Sequence, residues 1–267
     1  MSHDPLTEVQ TFKPDFFNTI LRGTCTLLRT DLNRGLTSQI QLTYRFNEGS
    51  ILVEGEDGLL YVTGGTLRNT YLKWLDVINP TADFAVTSKT DMHNTRSIHG
   101  AAWYEGFLYV VGGNLTFPPQ ESDRRKCERY SAAEDRWEEF DSLSLGCAYT
   151  SVITLQATAS LYAIGGTFGG FDNSDSIQRL SLDSLRWTVL EVKLPDRGYQ
   201  LASFKLDEAG FYFVVEGTLY KYESLTDSIR TVKPLPHPIK SFCASSYYRN
   251  GCLYSADIGG CRVSKIA

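Results

Sequence analysis

Residues able to do chemistry are few and scattered in this chain. Its four histidines are His3, His93, His99 and His237. A nucleophilic serine or cysteine needs a base held beside it, and zinc needs His and Cys ligands at short spacings. No GxSxG and no CxxC element is present. Six cysteines stand at 25, 127, 147, 243, 252 and 261. Cys243, Cys252 and Cys261 recur every nine residues. They could face one another across three successive strands, as a metal or redox group or as small buried side chains. His99 reads as a satisfied inner-strand residue. The run from Gly165 to Gly170 is glycine-rich, but no helix follows it to hold a phosphate. Arg124-Arg125-Lys126 is a basic triplet interleaved with Glu121, Asp123 and Glu128, the pattern of a solvated loop. These residues assign no catalytic group, no metal and no cofactor, and the chain is expected not to be an enzyme.

Composition narrows the alternatives. Of 267 residues 42% are hydrophobic and 21% charged, so the chain can bury a substantial core. The net charge of −5 argues against a nucleic-acid or anionic-membrane surface. No run approaches the roughly 18 apolar residues of a membrane-crossing helix, and the polar Met1–Pro5 start is unlike a signal peptide. A cytoplasmic protein with free thiols is the expectation. The 15 Tyr and 14 Phe suit pleated, half-buried surfaces.

The elements that would position a site come from an internal repeat. Gly58-LLYVTG-Gly65, Gly106-FLYVVG-Gly113, Ala159-SLYAIG-Gly166 and Gly210-FYFVVE-Gly217 each read as a turn, a strand-length apolar run and a glycine ending. A weaker copy ends at Gly259-Gly260. The penultimate positions Gly64, Gly112, Gly165, Glu216 and Gly259 are 48, 53, 51 and 43 residues apart. Such a period, built from short strands, points to propeller blades. In register with it run pairs of bulky residues seven apart around a polar turn: Val77/Phe84, Tyr130/Trp137, Leu180/Trp187 and Tyr222/Ile229.

The unit holding Gly112, Gly113, Tyr130 and Trp137 resembles the kelch repeat at every hallmark position, and the other units resemble it with substitutions. The resemblance spans nearly the whole chain. It implies an all-β, kelch-type β-propeller forming a single domain over 1–267. Residues 16–46 read as a blade without its doublet, which makes six blades of four antiparallel strands. Residues 6–12 would supply the last blade's missing strand. Five blades with an N-terminal extension is the alternative.

The resemblance also implies a non-catalytic protein-interaction module or adaptor. Many kelch proteins carry BTB and BACK domains and recruit a cullin ligase; the expectation here is a propeller that reaches such a pathway only through a separate subunit. Its partner would be a protein presenting an acidic or extended segment, in a ubiquitin-ligase, cytoskeletal or scaffold setting. Loops after the glycine doublets and loops between blades would form one mouth. Arg96 and Arg197 are read as equivalent positions facing acidic motifs, with Tyr149 and Tyr199 just inside the ring. The doublet loops add Arg68, Asn69, Asn114, Arg125, Phe168 and Phe171, the two phenylalanines exposed among glycines. Each arginine could equally tie blade to blade. Among kelch-like enzymes, the nitrile-specifier iron motif is broken, since Thr231 follows Glu223 and Asp227 where His is needed. A sialic acid mutarotase, which would need Arg and acid in a central funnel, stays as the enzyme alternative.

Overall fold

The computed structural model describes residues 16–21, 23–168, 172–199, 201–235, 245–249, 252–257 and 260–265. They form an all-β propeller of antiparallel sheets, the fold expected from the repeats. The first sheet has three strands, Phe16–Leu21, Thr26–Asp31 and Leu36–Gln41. The second holds Ile51–Glu54, Leu60–Thr63, Leu75–Asn79 and Ala85–Ser88. The third holds Gly100–Tyr104, Phe107–Val111, Cys127–Ser131 and Arg136–Phe140. Ser151–Leu155, Ser160–Ile164, Ser174–Ser181 and Arg186–Gly198 make the fourth. Ser203–Phe204, Gly210–Val215, Thr218–Glu223 and Ser228–Pro234 make the fifth. The last has three, Ser245–Arg249, Cys252–Asp257 and Gly260–Lys265. Residues 6–12, the expected closing strand, lie outside the described residues, as does Gly259.

A lone antiparallel sheet leaves one apolar face in water, and stacking covers it. An apolar cluster fills each junction between neighbours. Ile20 and Leu27 meet Leu60 and Ile78, and Tyr61 and Val77 meet Leu108, Tyr130 and Trp137. Tyr109 and Val111 meet Leu161 and Trp187. Tyr162 packs on Phe211. Tyr212 and Leu219 meet Leu253. Phe17 and Leu32 meet Tyr254, so the first and last sheets touch. The Trp137 indole also donates to Thr90 O across the junction at 2.8 Å.

The bulky pairs are direct cross-strand partners in three sheets: Tyr130 with Trp137, Leu180 with Trp187, and Tyr222 with Ile229. In the second sheet the expected Val77/Phe84 pair is not formed. Its turn runs one residue longer, Ile78 faces Val86, and Phe84 stays in the turn at φ 56°. Cys252 and Cys261 do not oppose each other: their register partners are Lys265 and Ala256. Cys243 lies outside the described residues.

The glycine endings do two different jobs. In the second, third and fourth sheets the doublets Gly64-Gly65, Gly112-Gly113 and Gly165-Gly166 all have positive φ and open into long loops. A Cβ on Gly112 would stand 2.2 Å from Cys147 O. In the fifth sheet, Glu216-Gly217 is a two-residue hairpin turn joining Val215 directly to Thr218. Both φ values are positive there, as a type I′ turn requires. Long loops at this end of the ring therefore cluster on three consecutive sheets.

Candidate binding face

Backbone pairing welds the two loop families into one rim. Glu48 bridges Thr66, Ser97 bridges Asn114, and Ala148 bridges Thr167. The second doublet glycine donates to the segment leading into the next sheet each time: Gly65 to Arg96 O at 2.9 Å, Gly113 to Cys147 O at 2.9 Å, and Gly166 to O of Gly198, the last residue of its sheet's fourth strand, at 2.8 Å. A second belt runs inside the first, where Ile98 N–H donates to Gly49 O and Tyr149 N–H to Ile98 O, both at 2.8 Å. Ile98 and Tyr149 adopt left-handed φ of 52° and 56° to do so. In the four-stranded sheets the turns joining the first two strands and the last two strands lie at the opposite end of the ring, because the strands are antiparallel.

These bonds correct the expected register. Arg96, Cys147 and Gly198 are the equivalent positions, so Arg197 is one residue out of step with Arg96. Their environments differ accordingly. The Arg96 side chain is fully buried and reaches no solvent. Its Nη2 donates to Glu128 Oε1 at 2.6 Å, and its Nη1 to Gly112 O at 2.7 Å and Lys126 O at 3.1 Å. Glu128 also accepts the His93 amide at 2.8 Å. Arg96 thus ties the inter-blade loop to the third sheet and presents nothing outward. Arg197 is exposed, and no ion pair engages its guanidinium among the described residues.

Tyr149 and Tyr199 meet in an edge-to-face pair with centroids 5.9 Å apart. Arg68 and Asn69 form the exposed tip of the Thr66–Leu67/Thr70–Tyr71 hairpin, with φ of 47° and 64°. Asn114 is buried in the rim and accepts from Arg124 Nε at 2.8 Å. Arg125 is half-buried and donates from Nε to Leu143 O at 2.7 Å, anchoring the loop. Phe168 is not the exposed contact expected of it, but packs half-buried on the core between the third and fourth sheets. Phe171 lies outside the described residues. His99 is buried, with Nε2 2.7 Å from Thr63 Oγ1.

The basic triplet differs most from expectation. Lys126 is exposed and Arg125 half-buried, but Arg124 is 5% exposed. Burial pulls its pKa below the usual arginine value. The rim also exposes apolar groups on two doublet loops, Leu67 and, 83% exposed, Phe117. An open cleft of about 420 Å³ between the first and second sheets is lined by Arg45, Glu48 and Arg68 among others. No cluster of three or more His, Cys, Asp or Glu suited to a metal occurs among the described residues. No described helix is long and apolar enough to cross a membrane.

Comparison with known proteins agrees with the architecture. Kelch-like protein 25 of Xenopus tropicalis is 28% identical over 135 residues, covering 49% of this chain. The match spans 23% of that relative's own length. No family model matches.

Proposed function

The chain is a kelch-repeat β-propeller, and from that premise we propose that it is a non-catalytic interaction module docking a segment of a partner protein on its loop-lined face. One observation carries the reading. Three consecutive blades raise long loops at one end, welded into a single rim that exposes Leu67 and Phe117 beside Arg68 and Arg197. Apolar anchors among arginines are the composition of interface hot spots, and the rigid belt beneath lowers the ordering cost of binding. An acidic or extended segment suits the exposed guanidinia. A ubiquitin-ligase or cytoskeletal assembly is the setting we favour, in the cytoplasm. The free Cys25, Cys127, Cys147 and Cys252 suit a reducing compartment.

The test is affinity capture with three baits of equal stability: wild type, Leu67→Asp/Phe117→Asp, and Leu225→Asp. Leu225 is 87% exposed and sits in the turn before Ser228–Pro234, at the opposite end. A partner lost only with the rim variant supports the reading. A partner lost only with Leu225→Asp, or none with any bait, contradicts it.

A small-molecule enzyme of the sugar-mutarotase kind has one observation behind it, the cleft that sets Glu48 beside Arg45 and Arg68. Anomer exchange followed by NMR, lost in Glu48→Gln, would support it.

A further inference from the structure

Three Lys or Arg side chains are buried among the described residues: Arg96, Arg124 and Lys221. A buried charge is costly unless paired. Arg96 has Glu128, and Lys221 has Asp207 and Glu223, each at 3.4 Å. Arg124 forms no ion pair among the described residues. Its Nε donates to Asn114 Oδ1, and its Nη1 is enclosed with no hydrogen-bond partner there.

Neighbouring acids are committed elsewhere. Glu128 holds Arg96, Asp123 accepts from Thr116 Oγ1 at 2.8 Å and pairs with Lys126, and Glu121 accepts the Gly146 amide. The groups whose charge bears on Arg124 are Cys147, Tyr71 and Tyr149, all neutral when protonated. They come from two rim segments, Tyr71 from the second sheet's hairpin and Cys147 and Tyr149 from the loop before the fourth sheet, and Asn114 adds a third, the loop within the third sheet.

We propose that Arg124 is a carboxylate-reading group: an anion delivered to the rim completes the guanidinium's hydrogen bonds. The planar fork of arginine matches a carboxylate, and one cation balances one such charge. The inference goes beyond the interaction reading, since a peptide side chain and a small free acid present the same group.

Thermal denaturation of the full chain at low ionic strength tests it, with acetate, capped hexaglutamate and capped hexaglutamine as probes. At least one acid should raise the wild-type Tm by a few degrees, and hexaglutamine should not. Acetate alone acting identifies a small-acid site; hexaglutamate alone acting identifies a peptide site. Arg124→Met should abolish the shift while melting no lower than wild type without ligand, because it removes an unpaired buried charge. Arg124→Lys should keep the charge but weaken the shift, lacking the fork. Arg96→Met, which strands Glu128, should melt lower. No shift with either acid, the same shift in Arg124→Met, or an Arg124→Met protein as unstable as Arg96→Met would overturn the proposal. Leu67→Asp/Phe117→Asp should leave the acetate response intact, so failure of partner docking is separable from failure of this site.

Discussion

Arg96 and Glu128 meet at 2.6 Å with neither side chain reaching solvent, 32 residues apart in sequence. The pair joins a loop between blades to the blade that follows. Removing one member leaves the other charged and buried, which typically costs about 3–5 kcal/mol. Arg96→Met should lower stability by that order in urea denaturation. Arg96→Met/Glu128→Leu should recover part of the loss, because it leaves no orphan charge.

Two positive-φ glycines, Gly58 in a turn and Gly112 in a doublet, predict a graded series. Gly58 has φ 74° and nothing lies within 4 Å of where a Cβ would stand, so Gly58→Ala should cost only the left-handed strain, about 1–2 kcal/mol. Gly112→Ala adds a 2.2 Å clash with Cys147 O on top of φ 63°, and the rim backbone would have to move. It should destabilise clearly more than Gly58→Ala in the same denaturation assay.

Much of this architecture was legible because it repeats. Three doublets and three of the four bulky pairs are found where their spacing put them. The Val77/Phe84 pair failed because its turn starts one residue later and holds one more residue, so that Val77 faces Thr87, which spacing alone does not reveal. Glu216-Gly217 looked like a worn doublet, and only the pairing of Val215 with Thr218 shows it to be a tight turn. Burial of Arg96 was not readable, since its partner lies on another strand of the next blade. Arg124 was hidden by neighbours in sequence: Glu121, Asp123 and Glu128 suggest neutralisation, but each is used elsewhere in space.

Thiol reactivity should divide the cysteines. Burial pushes the Cys127 and Cys147 thiols up to about 12, so little thiolate forms near pH 8. Cys25 and Cys252 are half-exposed. Brief iodoacetamide treatment of the native chain, mapped by mass spectrometry, should label Cys25 and Cys252 well before Cys127 and Cys147.

Acid sensitivity has a defined contributor at the junction of the second and third sheets. The Thr90 amide and the Tyr130 hydroxyl hold the Asp135 carboxyl below the usual carboxylate range. A depressed folded-state pKa adds stability above the unfolded value, about 3.9, and loses it as pH falls through the folded value. Asp135→Asn should therefore flatten the stability profile below about pH 4, measured by Tm against pH.

Partner docking on the rim raised by the second, third and fourth sheets has a direct readout in hydrogen exchange. The captured complex is compared with the free chain by mass spectrometry. Docking at the rim should protect residues 66–73, 114–125 and 143–149. Protection confined to the turns at 80–84, 132–135 and 224–227, at the opposite end of the ring, would contradict it.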